Sequence, residues 1–177
     1  MVSTILLLIL GILQPDTNIY TADDGSFSVL SPGKFVEKYQ ELETDIGQIE
    51  VFTLHCQPDN TEHPNFLYLI NYYDYPKGFD DDTYEDREDF LKNIFDESID
   101  QSLTGLKGKL LYSTDITLQE MHPGRVNRLS YNDGASIVKS KMFLVGERFY
   151  FLQVYTTKDN SLNIEMDDFL DSFKVLH

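Results

Sequence analysis

Between Arg125 and Thr157, three runs rich in β-branched and aromatic residues are separated by nothing longer than Asn132-Asp133-Gly134 and Gly146-Glu147. Parallel neighbours need a crossover of a dozen residues or more, so links this short force adjacent runs to pair antiparallel. Glycine supplies the positive φ that tight hairpin turns demand. The spacing therefore predicts strands over Arg125–Tyr131, Ala135–Val145 and Arg148–Thr157, folded as an antiparallel meander.

The same punctuation continues outside this segment, where glycines fall in Asp24-Gly25, Pro32-Gly33, Lys77-Gly78 and Pro123-Gly124, each read as a turn. Alternation and β-branched enrichment predict further strands at Phe27–Leu30, Gly47–Gln57, Phe66–Tyr75 and Lys109–Glu120. Between the two strand groups, Leu91, Ile94, Phe95, Ser98, Ile99 and Leu103 recur at three-and-four spacing, which predicts an amphipathic helix over 82–103. A second helix is predicted over Ile164–Phe173, with Ile164, Phe169, Leu170 and Phe173 on one face. Strands, helix, strands, helix without a βαβ repeat indicate an α+β fold with a central, mainly antiparallel sheet of about six or seven strands flanked by helices.

At 177 residues the chain is long enough for one domain with a real core, and 41% hydrophobic with 13% aromatic residues is the composition of a folded protein. The apolar run Ile5–Leu13, followed at once by Gln14-Pro15-Asp16, is about nine residues long. A bilayer span needs roughly twenty, whereas the hydrophobic region of an export signal needs roughly seven to fifteen. Residues 1–18 are therefore read as an export segment and 19–177 as a single α/β domain, periplasmic or extracellular once delivered. The segment has no preceding Lys or Arg and no Ala-x-Ala site, so a cytoplasmic protein with a buried N-terminal element is the alternative.

The net charge of −16 opposes docking to nucleic-acid phosphates or anionic lipid. It is unevenly placed: residues 105–155 hold seven Lys/Arg against four Asp/Glu, and the rest of the chain holds seven against twenty-six. Cys56, the only cysteine, excludes an intrachain disulfide, and its strand-like flank marks it as a buried thiol.

Four phrases carry a likeness: Phe27-Ser-Val-Leu-Ser-Pro-Gly33, Thr44-Asp-Ile-Gly47, Asn71-Tyr-Tyr-Asp-Tyr-Pro76 and Phe169-Leu-Asp-Ser-Phe173. Over residues 20–175 the chain resembles uncharacterised exported bacterial proteins of the PsbP-like fold, an architecture shared with Mog-type Ran-binding proteins. The resemblance implies an α/β/α sandwich and an accessory or protein-binding role, and it assigns no functional residue.

No catalytic constellation emerges from the residues themselves. His55 and Cys56 are strand neighbours facing opposite ways, so with His63 they make a poor metal site. The carboxylates Asp80, Asp81, Asp82, Glu85 and Asp86 lack calcium-loop spacing and suit a helix start. No Gly-x-Ser-x-Gly, phosphate loop or His-Glu-x-x-His occurs. No metal or cofactor is expected.

Two features point to a partner surface. Arg128, Lys139, Lys141 and Arg148 lie in the meander, where they gather into a basic patch or else pair with acidic helix residues. Alternation sends Tyr73 and Tyr75 to one face, where they offer area with a polar tip. The leading expectation is a non-enzymatic exported module binding another envelope protein. The rival is a hydrolase or small-ligand enzyme whose site, assembled across the sheet, would bring His122 or His55 together with carboxylates.

Overall fold

The computed structural model describes residues 18–44, 47–76 and 87–176. The apolar run, the acidic cluster at 80–86 and Asp45-Ile46 lie outside these residues. The elements in order are β1 (Ile19–Thr21), β2 (Phe27–Leu30), β3 (Val36–Thr44), β4 (Gly47–Cys56), β5 (Asn65–Asp74), α1 (Arg87–Leu106), β6 (Lys109–Leu118), β7 (His122–Tyr131), β8 (Ser136–Val145), β9 (Arg148–Thr157), α2 (Ile164–Ser172) and β10 (Lys174–Val175).

Seven strands form the central sheet in the order β3-β4-β5-β9-β8-β7-β6, and β1-β2-β10 form a small second sheet. Every pairing in both sheets is antiparallel. The expected meander is present, with β7, β8 and β9 adjacent and in register. Gly146 has φ +60° at the first central position of the two-residue β8–β9 turn, a conformation that a side chain would strain.

Alternation along the strands builds two separate cores. On one face, Phe90, Ile94, Phe95 and Ile99 of α1 pack on Leu129, Val138, Met142, Leu144 and Phe149. On the other, Phe27, Phe169, Leu170 and Phe173 cover Leu54, Tyr68, Ile70, Leu152 and Val154, with Phe27 lying 5.4 Å from both Tyr72 and Phe173, centroid to centroid. The sheet is thus sandwiched between α1 and a layer formed by α2 with the small sheet.

Two local expectations are corrected, and one strand is present that no sequence pattern announced. Pro123-Gly124 is not a turn: both residues lie inside β7, and the chain reverses at Gln119 and Glu120, which take φ of 49° and 60°. Gly124 is required there for close approach, since a Cβ would meet the Phe143 ring at 2.3 Å and the Met142 carbonyl oxygen at 2.5 Å. Ile164 is exposed, and Met166 takes its place on the buried face of α2. Lastly, the acidic edge strand β3 carries no alternation signal, because all nine of its residues are exposed.

Helix α1 stops where Lys107 turns left-handed at φ 51° and the Gly108 N–H donates back to the Leu103 carbonyl at 2.9 Å. That exit delivers the chain directly into β6.

Candidate functional site

Period-two alternation places Arg128, Lys139, Lys141 and Arg148 on the face covered by α2. Arg128 and Lys139 are cross-strand neighbours. Their heads reach neighbouring layers: Lys139 Nζ donates to Asp167 Oδ1 of α2 at 2.6 Å, and Lys141 pairs with Asp171 one helical turn on. Arg128 Nη2 donates to the Ser161 carbonyl at 2.6 Å. Arg148 donates through Nε and Nη2 to both oxygens of Asp74, at 2.6 and 2.8 Å, and through Nη1 to Asp24 in the β1–β2 turn at 2.6 Å. The hydrogen bonds it gives to Asp74 chiefly, with the one it gives to Asp24, hold the Arg148 guanidinium above its ordinary pKa. At Asp24, burial alone would raise the carboxyl, but hydrogen bonds from Ser26 and Arg148 outweigh it and lower the pKa.

Tyr73 and Tyr75 lie on the opposite face, their hydroxyls 3.1 Å apart and the Tyr73 ring 5.4 Å from Phe149. Burial raises the Tyr73 phenol, which stays protonated and able to donate. The structure therefore places the four cations on one face, with Arg128 and Lys139 adjacent and Arg148 at the other end of its strand, brings the two tyrosines together, and separates the two groups by the thickness of the sheet.

Tyr73 also lines a cleft of about 280 Å³ between the C-terminal half of α1 and strands β5 and β9. Its other walls include Asn71, Gln101, Phe151, Gln153 and Tyr155. Burial pushes the Tyr155 phenol up to about 12. Sequence reasoning passed over Asn71, Gln101 and Gln153. A signal was present for Gln153: it stands between Phe151 and Tyr155 at core-facing spacing, where a polar residue calls for an explanation.

The histidines do not converge on this cleft. Neither His55 nor His122 lines it, and neither lines the second cleft that Glu41, Glu50, Asp74 and Arg148 help to form. His63 Nδ1 accepts from the Asn65 N–H at 3.1 Å. Cys56 is buried, and burial pushes its thiol up. Among the described residues, no three His, Cys, Asp or Glu side chains gather to hold a metal, and no helix is long and apolar enough to cross a membrane.

A seven-stranded antiparallel sheet with α1 on one face and α2 beside a three-stranded sheet on the other is the PsbP-like fold, an α+β sandwich. The solution structure of cyanobacterial PsbP (CyanoP) from Synechocystis sp. PCC 6803 is similar over 94% of this chain and 96% of that one, with a TM-score of 0.57 at 10% sequence identity. No protein-family model matches the chain, and no curated protein matches it in sequence.

Proposed function

We propose that this chain is an exported accessory domain that binds another protein of the cell envelope and has no catalytic activity of its own. The apolar run Ile5–Leu13, of export-signal length, supports delivery. The PsbP-like fold supports an accessory role by analogy alone.

The observation that carries the binding part is strand β6. It pairs with β7 on one side and has no strand on the other among the described residues. Leu110, Leu111 and Tyr112 on it are 45%, 53% and 40% exposed, and the register slips around Leu111. An edge with unpaired backbone groups and apolar side chains is a template for an added strand. The opposite edge, β3, presents Glu37, Glu41 and Glu43, which repel a second acidic strand. The strip of Arg128, Lys139, Lys141 and Arg148 and the pair Tyr73 and Tyr75 belong to this reading as secondary contact candidates.

Cross-linked capture from the native envelope tests it. The wild-type chain is expected to recover one partner in stoichiometric yield, with an N-terminus beyond about residue 14 on protein from the native cell. Leu110→Lys with Leu111→Lys, which introduces the charges that natural edges use against pairing, should abolish recovery while leaving the thermal midpoint within a few degrees. Undiminished recovery by that variant would remove β6 from the interface. Recovery lost by Lys139→Met with Lys141→Met would move the interface to the α2 face.

A further inference from the structure

A quarter of this chain's residues are charged, yet no carboxylate, ammonium or guanidinium group lines the cleft between α1 and strands β5 and β9. Its polar groups are neutral amides and hydroxyls, and Phe149, Phe151 and Tyr155 supply its aromatic wall.

Several of those polar groups have capacity to spare. Asn71 Oδ1 accepts from Thr53 Oγ1 at 2.7 Å, which leaves the Asn71 amide nitrogen as a donor. Ser98 and Ser102 give their protons to the carbonyls of Ile94 and Ser98, at 2.8 and 2.9 Å, so their oxygens remain as acceptors. From Gln153 a polar row continues across the sheet on the same face, to Ser140 on β8 and then Asn127 on β7, in direct cross-strand register. Ser140 is 0% and Asn127 1% exposed, and the Ser140 hydroxyl and both amide atoms of Asn127 have no hydrogen-bond partner among the described residues. Neither residue lines the cleft, so a molecule held there does not partner these groups; the row shows instead that this face carries neutral polar side chains beyond the cleft itself.

We propose that this cleft binds a small neutral molecule bearing several hydroxyl groups, of the size of a single sugar ring or polyol. Its C–H face lies against the aromatic wall, and its hydroxyls meet the amides of Asn71, Gln101 and Gln153. An anion would find no cation in the cleft and a strongly negative protein around it. A cation would find no carboxylate, and an apolar ligand would strip water from amides without replacing their hydrogen bonds. A hydroxyl group donates and accepts at once, which matches a wall offering both. The volume lies just below the roughly 300–1,000 Å³ of ordinary small-molecule sites, which suits one ring rather than a chain. The proposal stands apart from the β6 edge, which lies at the far side of the sheet from β5, and shares with the partner reading only Tyr73, a secondary contact candidate there and a wall of the cleft here.

The test follows the side-chain amide NMR signals of Asn71, Gln101 and Gln153 in the full chain during titration with D-glucose, myo-inositol and glycerol. Glucose 6-phosphate and indole serve as charged and apolar controls. The expected result is a saturable shift with at least one of the three neutral probes, with a dissociation constant on the order of 1 mM for a ligand so small. Gln101→Ala, at an exposed position of α1 that leaves the core untouched, should weaken that binding about three- to tenfold, the worth of one hydrogen bond. Absence of a saturable shift with all three neutral probes would overturn the proposal. So would equal or tighter binding of glucose 6-phosphate or indole, or binding that Gln101→Ala leaves unchanged.

Discussion

Asn163 secures the start of α2 in two ways. Its Oδ1 accepts from the Met166 N–H at 2.8 Å, capping the helix, and its amide exchanges two hydrogen bonds with Asn65, at 2.8 and 2.9 Å. Asn65 is 1% exposed and also donates to the Tyr68 hydroxyl at 2.7 Å. Asn163→Ala removes a cap worth about 1 kcal/mol and strands a buried amide at a cost of about 1–3 kcal/mol, so urea unfolding should show a loss of about 2–4 kcal/mol. Asn163→Asp keeps the cap acceptor and loses the donor to Asn65, so it should fall between the two. Tyr68 extends the same cluster to a pH response. Burial, reinforced by Glu165 and Cys56 and opposed by the Asn65 hydrogen bond, pushes its phenol up to about 12. The unfolded chain releases that proton near pH 10, the ordinary value. Between these values the unfolded state binds fewer protons than the folded one, so stability falls as pH rises through the window and is fully present below it. Urea midpoints from pH 8 to 11.5 should therefore drop above about pH 10, and Tyr68→Phe, though less stable at neutral pH, should show a shallower drop.

Strands and helices with an inward face were readable before any coordinates, because one-sided burial writes a period into the sequence. Phe27–Leu30 and Arg148–Thr157 have the bounds expected of them, and α2 differs by one residue at its end. The edge strand β3 left no such trace, since a strand exposed on both faces is under no pressure to alternate. At the candidate cleft, the neighbourhood of Tyr73 and Phe149 depends on β5 and β9 being adjacent, a pairing across more than seventy residues that local spacing does not record. Gly124 shows how one residue misleads at this level. Beside Pro123 it reads as a turn, yet it serves β7 by letting the Phe143 ring and β8 come close. Gly124→Ala should cost about 2–3 kcal/mol through overpacking. Gly105→Ala in α1, where a Cβ meets nothing within 4 Å, should gain up to about 1 kcal/mol from helix propensity. Denaturant unfolding of both variants separates close packing from backbone freedom: equal effects would show that the β7–β8 approach is not tight.

The uneven charge along the chain becomes an arrangement between layers. The sheet cations Arg125, Lys139, Lys141 and Arg148 all fall within residues 105–155, and they pair with Asp96, Asp167, Asp171, Asp24 and Asp74 outside that segment, Arg125 pairing also with Asp115 inside it. Basic strands are thus bound to an acidic periphery by side chains whose carboxylates stay about half exposed, and each such pair contributes about 0–1 kcal/mol. Against this stands the repulsion among the remaining acidic residues of a chain with net charge −16. The two effects respond differently to salt. The pairs lie at hydrogen-bond distance, well inside the Debye length, which shrinks from about 30 Å at 0.01 M to about 8 Å at 0.15 M, whereas charges spread over the surface lie beyond the shorter length and are screened. Raising sodium chloride across that range should therefore raise the urea midpoint at constant m-value, since more repulsion is removed than attraction. Lys139→Met with Lys141→Met takes the net charge from −16 to −18 and removes two of the attractive pairs, so that variant should start from a lower midpoint and gain more from salt. A midpoint that falls with salt in the wild-type chain would mean that the interlayer pairs outweigh the acidic surface, and that the layers are held by charge more than by the aromatic core around Phe27 and Phe173.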